Sequence, residues 1–520
     1  MNADVVVIGA GITGAAVARE LSRYALGIIL VEKEADFCFG ATAANTGTIH
    51  AGYHDLPGTL KSRLCVTGNA LYEQLCQELG VEFERNGALV VALNTDDLKI
   101  LKELNKRGVA NGVPDLRIIG KNELYEMEPN LTQNAIGALY APTAGIVSPY
   151  EMAIALCENA IHNGVIPLLE ASVEAIEKEN NRIKRVVTTQ GTLETKFVVN
   201  ASGLYADDVS QMVGIDDFHI YPRKGEYLIF DKGVGSLVNR PVFPTPTPIS
   251  KGITVTKTID GNTMIGPNAQ NLNIEYKYAE ARDATTNEGL TEVLQAASRL
   301  VPNLPEAMTI TNFAGLRPEP NTGDFIIRSY QDIKGFINVA GIKSPGLTAA
   351  PAIAELVIQI LKYEGLELKP KKEFDPIREK PIRFTDLSSE EKDALIAKDP
   401  RYGHIVCRCE QVTEGEIVDA TKRGARTMDG IKYRTRCGMG RCQGGFCGPR
   451  VAAILATELS IPLEQVTKDG GGSNLVVGKT KSLVKEKLNV YAQSMRNATR
   501  FSCREWNRFF AKRKHLLLRP

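Results

Sequence analysis

The chain has no run of about eighteen apolar residues, the length that a membrane-crossing helix needs, so no segment is expected to span a bilayer. Its first residues, Met1-Asn-Ala-Asp4 before an apolar run, include no basic stretch, which argues against a secretory leader. Net charge is almost absent: 62 Lys and Arg stand against 61 Asp and Glu, a formal +1 that argues against a general nucleic-acid binder. The balance is uneven, however. From Val476 onward twelve basic residues face two acidic ones, which leaves the remainder mildly acidic. Also missing is the even cysteine framework of a small secreted scaffold. Of ten cysteines, five crowd between Cys407 and Cys447, and Cys38, Cys65, Cys76, Cys157 and Cys503 are scattered singly. A reducing cytoplasm is the expected compartment. At 520 residues and 43% hydrophobic content, the chain has material for two or three domains with a substantial core.

What is present begins at once. Asp4-Val-Val-Val-Ile8 reads as a buried strand, followed by Gly9-Ala-Gly11-Ile-Thr-Gly14, an Ala-rich helical stretch from Ala15 to Tyr24, and a second strand, Gly27 to Glu32. In such a unit Gly9 allows the tight turn, Gly11 lets the backbone approach a pyrophosphate, and Gly14 lets helix and strand pack closely. Glu32 ends the second strand, where a carboxylate accepts adenosine ribose hydroxyls. FAD fits better than NAD, because Gly40-Ala-Thr42-Ala-Ala-Asn45-Thr46-Gly47 is small and flexible enough to run along an extended pyrophosphate towards an isoalloxazine. Phe197-Val-Val-Asn200-Ala201-Ser-Gly203 is a strand ending in small residues, and Val173 joins Ala201 and Gly203 in the expected cofactor-contacting set. No second GxGxxG follows a strand, so no separate NAD(P) site is expected.

The segment AANTGTIHAGYHDLPGTLKSRLC (43–65) resembles the flavin-facing segment of glycerol-3-phosphate oxidases and dehydrogenases and of L-2-hydroxyglutarate dehydrogenase, within the D-amino-acid-oxidase-like flavoproteins. AGLRPEPNTGDFII (314–327) and AGIKSPGLTAAPAIAELV (340–357) resemble the glycerol-3-phosphate branch, and the resemblance runs over residues 3–365. It implies an α/β fold: a Rossmann-type FAD-binding domain with an interleaved α+β substrate subdomain, then a small helical [2Fe-2S] domain. Oxidising a secondary alcohol on flavin needs a base for the hydroxyl proton. His50 matches the active-site histidine of the family; without the resemblance it reads equally well as a buried hydrogen-bonding residue. His54 is expected at the pocket rim or in a structural role. Arg317 matches the substrate-anion arginine, with a catalytic as well as a binding role, while Lys251 and Ser344 match further substrate contacts. Gly341 and Gly346-Leu347-Thr348 precede an Ala-rich helix (349–362) whose N-terminal amides would face the flavin pyrimidine ring.

Between 366 and 400 four prolines and dense charge read as a linker with one short helix, Ser388 to Ala397. A small module (401–470) follows, with Cys407-x-Cys409, a helical stretch from Glu414 to Gly424, then Cys437, Cys442 and Cys447. Close pairs of thiolates suit either a [2Fe-2S] cluster or structural zinc. The region resembles the bacterioferritin-associated-ferredoxin-like [2Fe-2S] domain of anaerobic glycerol-3-phosphate dehydrogenases. That resemblance implies Cys407, Cys409, Cys442 and Cys447 as ligands, with Cys437 the spare or an alternative. A flavin that must shed electrons favours iron–sulfur over zinc. In the tail (471–520), Arg496, Arg500, Arg504, Arg508 and Lys512 form one row of a basic amphipathic helix, suited to peripheral contact with an anionic membrane. A disordered tail and a docking helix for another subunit are the competing readings.

The leading expectation is a dehydrogenase that oxidises glycerol 3-phosphate on FAD and sends electrons through [2Fe-2S] to a partner subunit or quinone. The alternatives are an L-2-hydroxyglutarate or amino-acid dehydrogenase, an oxygen-using oxidase with a structural zinc module, and a non-catalytic flavin-binding electron-transfer subunit.

Overall fold

The computed structural model describes residues 1–247, 250–279, 283–478 and 480–481. The basic helix expected in the tail lies outside the described residues.

Four buried β-branched residues form the central strand β1 (Val5–Ile8) of a nine-stranded sheet. It pairs in parallel with β2 (Ile28–Val31) on one side and with Phe197–Asn200 on the other, and the parallel run continues to Ile333–Ala340 and to Ile166–Leu168. Strands covered on both faces need apolar residues throughout, which is why they read as unbroken Val/Ile runs. Helix α1 (Ile12–Leu21), Pro149–His162 and Gly346–Tyr363 cover one face and share one core with β1 and β2. The helix α1 starts three residues before the Ala-rich run that marks it in sequence, because the turn that launches it closes at Gly11. Gly9 holds φ +98°, and a Cβ there would lie 2.5 Å from the Ala201 carbonyl oxygen. A Cβ on Gly14 would meet the Gly9 oxygen at 1.8 Å, so only glycine lets α1 pack this closely on the turn.

The chain leaves this sheet and returns twice to build a second, also nine-stranded. Its spine is the antiparallel pair Ile220–Phe230 and Thr309–Pro320, in register from Ile220 opposite Pro320 to Ile229 opposite Thr311, with a one-residue shift before Phe230 opposite Thr309. The interleaved α/β architecture is as expected. Arg317 lies within the strand Thr309–Pro320, since Gly315 and Pro318 are carried by the long partner strand instead of breaking the pairing.

Residues 366–400 behave less like a free linker than their composition suggests. The Lys371 N–H donates to the Arg23 carbonyl at 2.8 Å, Asn159 donates to the Asp375 carbonyl at 3.1 Å, and the Arg378 guanidinium pairs with Glu158 at 2.6 Å. Arg378 and Arg383 pair with Glu158 and Glu151 of the first domain, while most other charges of the segment stay exposed. The expected helix forms as Ser389–Lys398, capped by a reciprocal Ser388–Glu391 box.

The module beyond is a two-stranded ribbon (Ile405–Cys407 with Val412–Thr413) and three helices, Glu414–Lys422, Met428–Thr435 and Gly448–Glu458, around their own core. It docks through ion pairs. Arg434 donates to Asp36 at 2.8 Å, with both side chains only 1% exposed, and Arg436 reaches Asp260 at 2.6 Å. Tyr433 stacks on Tyr150 at 5.1 Å. Removing one partner of such a buried pair strands the other charge away from water. Asp36→Ala is therefore expected to lower the unfolding free energy by about 3–5 kcal/mol in urea titrations. Removing Glu179 from the exposed Lys184–Glu179 pair should have a far smaller effect in the same titration.

Candidate functional site

A cavity of about 1280 Å³ runs from the N-terminus of α1 to the second sheet. Gly9, Gly11, Glu32 and Thr42 line one end, Val173, Ala201 and Gly203 its flank, and Asn45 and Thr46 the part beneath Leu316. No side chain caps α1, so the amides of its first turn remain available to an anion, except that of Ile12, which donates to Thr42 Oγ1 at 3.0 Å. The Glu32 carboxylate accepts from the amides of Ala10 (2.7 Å) and Glu34 (3.0 Å). Burial raises its pKa and these two amides oppose that rise. An extended dinucleotide fits this cleft in size and in donor pattern.

The other cofactor residues expected from sequence act from behind the wall. Gly14 sits under the turn, as above. Gly47 accommodates the Val147 carbonyl, 2.2 Å from where a Cβ would be, and Gly341 turns at φ +65° against Pro320. Gly346, Leu347 and Thr348 begin the helix Gly346–Tyr363, which no side chain caps. Helix α2 (Leu60–Leu79) fixes that end: Tyr72 donates its hydroxyl to the Leu347 carbonyl at 2.7 Å, and Gly68 lets the two helices touch, 2.1 Å separating a notional Cβ from the Thr348 oxygen.

These same elements hold His50. Its N–H donates to Thr348 Oγ1 at 2.9 Å, and its carbonyl accepts from Asn69 at 3.0 Å. The ring Nε2 lies 3.1 Å from Ser344 Oγ, and Lys251 Nζ donates to the same hydroxyl at 3.3 Å. Burial, then the Lys251 charge, pushes the His50 pKa well below the ordinary histidine value, so the imidazole is neutral and able to take a proton near neutral pH. Burial, then the Lys251 charge, also lowers His54, and burial lowers Lys61 against the opposing charges of Asp55, Glu319 and Asp324. Lys343, next to Ser344 and bonded to Glu319, is pushed down to about 8 by burial. Sequence reasoning missed Lys61 and Lys343, although both fall inside segments that carry the family resemblance.

Arg317 is placed differently. Its guanidinium donates to the carbonyls of Arg223 (3.3 Å), Lys224 (3.0 Å) and Asn268 (2.7 Å). Among the described residues no carboxylate pairs with it, and no hydrogen bond joins it to His50, Lys251 or Ser344. It is a cation oriented by backbone carbonyls, with Glu319 acting on it from a distance, and it does not itself line the cavity although its neighbours Leu316 and Pro318 do.

In the module, the sulfurs of Cys407, Cys437 and Cys447 lie within 4.8 Å of one another, all three residues buried. Cys409 and Cys442 are 3.7 Å apart beside them, with Cys409 exposed. The fifth thiol is thus not set apart, as a spare would be; it sits in the group. The Cys407 pKa is drawn down to about 5, chiefly by the Cys437 thiol donating to it and further by the amides of Gly438 and Glu410, against burial. A thiolate at neutral pH is what a metal centre requires of its ligands.

Comparison with known proteins bears on both sites. The family described as FAD dependent oxidoreductase matches residues 4–360, and the BFD-like [2Fe-2S] binding domain matches 405–457. The glycerol 3-phosphate dehydrogenase of Caloramator mitchellensis is 49% identical over 483 residues, covering 92% of this chain and 99% of that protein. The human mitochondrial L-2-hydroxyglutarate dehydrogenase is 32% identical but aligns with 51% of this chain and 60% of its own length. The dithionite-reduced L-α-glycerophosphate oxidase of Mycoplasma pneumoniae, solved with FAD bound, superposes with a TM-score of 0.68 at 29% identity, covering 73% of this chain and 98% of that one.

Proposed function

The chain belongs to the FAD-dependent oxidoreductase family and carries a BFD-like [2Fe-2S] domain; from this premise we propose that it oxidises glycerol 3-phosphate to dihydroxyacetone phosphate and passes the electrons on through its C-terminal module. Bound FAD would take the hydride from C2 of the alcohol, and the [2Fe-2S] cluster would relay the two electrons singly. The protein supplies the rest. His50, neutral and directed at Ser344 by its Nε2, accepts the hydroxyl proton as the hydride leaves. Lys251, one hydroxyl away, offers a cation to the substrate phosphate, and Arg317, held by three backbone carbonyls, brings a second. The observation that carries this reading is the His50–Ser344–Lys251 chain: a neutral base and a cation sharing one hydroxyl suit an anionic alcohol. A 2-hydroxy acid would satisfy the cations too, but the similarity to the hydroxyglutarate enzymes spans only half of this chain.

Anaerobic mixing tests the proposal. Glycerol 3-phosphate should bleach the flavin, and L-2-hydroxyglutarate should not; bleaching by the second alone would overturn it. The onward acceptor in this reading is an electron-accepting protein subunit or a membrane quinone. No described helix is long and apolar enough to cross a membrane.

The pH profile follows from the same geometry. A base whose pKa is depressed stays active until the pH falls below the depressed value, so flavin reduction should hold its rate through pH 6.5 and decline only below it. Lys251→Met removes the lesser, cationic cause and leaves burial in place. Its acid limb, read from reduction rates at saturating substrate, should move upward in pH yet remain below 6.5.

A further inference from the structure

The cavity described above is not closed by the first domain alone. We infer that the C-terminal module completes the flavin site and that its Lys432 binds the anionic diphosphate of FAD, so that cofactor retention depends on the docked module. The helix Met428–Thr435 presents Asp429, Lys432 and Tyr433 at helical spacing to the same cavity that Gly11 and Glu32 line. Tyr433 is clamped between Phe39 (5.7 Å) and Tyr150 (5.1 Å), which fixes the face that the helix turns inward. Behind it the loop at Gly470 rests on Ala35, 3.0 Å from where a Cβ would be, so the module also covers the segment that follows β2.

The charges of this wall single out one residue. Among the described cavity-lining residues the cations are Lys33, Lys432, Arg436 and Lys468. Lys33 pairs with Glu34, Arg436 with Asp260 and Glu410, and Lys468 with Asp429. Among the described residues the Lys432 ammonium makes neither hydrogen bond nor ion pair, and the acid acting on it, Asp429, is already taken. A half-buried ammonium without a partner carries a desolvation cost, which an anion sharing the cavity offsets. The α1 N-terminus, which lines the same cavity, offers amides and a partial charge, not a full one. A diphosphate in this cavity would receive hydrogen bonds from the amides and an ammonium from Lys432.

The test uses the holoenzyme and needs no substrate, so its outcome is independent of the proposed reaction. FAD release after dilution is followed by the fluorescence of the freed flavin, at low and high KCl. Lys432→Gln should speed release about tenfold or more at low salt, the gap narrowing as salt rises, while Lys432→Arg stays near the parent. The electron paramagnetic resonance of the reduced cluster serves to confirm that the module is intact in each. Release from Lys432→Gln at the parent rate overturns the proposal. Equal acceleration in Gln and Arg variants also overturns it, since packing and not charge would then be at work. Asp36→Ala, which loosens the module without touching the cavity wall, should accelerate release as well; no acceleration would sever retention from docking.

Discussion

His50→Ala is expected to slow flavin reduction by glycerol 3-phosphate by about 10²–10⁴-fold, the contribution of a well-placed general base, with FAD still bound. The retention of FAD follows from position. His50 is not part of the cavity wall; its backbone is tied to Thr348 and Asn69, and truncation beyond Cβ leaves both hydrogen bonds in place. What disappears is Nε2, the atom facing Ser344 and, one hydroxyl further, Lys251. Single-turnover absorbance measurements under anaerobic conditions separate the two effects: the oxidised flavin spectrum should persist, and its bleaching by substrate should be lost. Undiminished bleaching would remove His50 as the base. Ser344→Ala offers a useful contrast, because it releases the ring from one contact but leaves the proton acceptor, and its loss should be smaller.

The elements that present these residues differ in how far they could be read from sequence. The dinucleotide turn was legible because its glycines answer steric demands within a few residues: Gly9 against Ala201, Gly14 against Gly9. The start of α1 was misplaced because alanine content marks helix propensity, whereas the turn geometry sets where the helix begins. The strand through Arg317 is hard to read from sequence for a related reason. Glycine and proline are local breakers, but a partner strand pairing from Phe230 to Ile220 overrides them. Harder still were contacts between distant residues. His50 and Ser344 are 294 positions apart, and Arg434 and Asp36 are 398 apart; nothing in either local segment announces the other. Residues 366–400 looked like a linker because charge and proline are common to linkers and to surface straps. Only the positions of Glu158 and Asn159 show that their partners await them on the first domain.

The cysteines give the second large effect. Cys407→Ala should abolish the electron paramagnetic resonance of the reduced [2Fe-2S] cluster and lower bound iron, while substrate continues to bleach the flavin. Cys407 ends the strand Ile405–Cys407, buried, with Cys437 and Cys447 within 4.8 Å and its charge felt at Cys409. It is the thiol that belongs to both the buried trio and the C-x-C pair, so no rearrangement of the remaining four can replace it without moving the ribbon. Cys437 is the instructive control. Family resemblance leaves it out of the ligand set, whereas its position puts it inside the group. With Cys407, Cys409, Cys442 and Cys447 as ligands, Cys437→Ala should keep the signal and the iron. Should Cys437→Ala lose both while Cys409→Ala or Cys442→Ala retains them, the ligand set would be the buried trio plus one. If instead Cys407→Ala keeps its signal, the cluster is not held by this group at all. Because the residues proposed to oxidise the substrate, His50, Lys251 and Ser344, lie in the first domain, these variants should uncouple oxidation of substrate from delivery of electrons wherever FAD stays bound: one turnover remains, and repeated turnover with an external acceptor that draws from the cluster is lost.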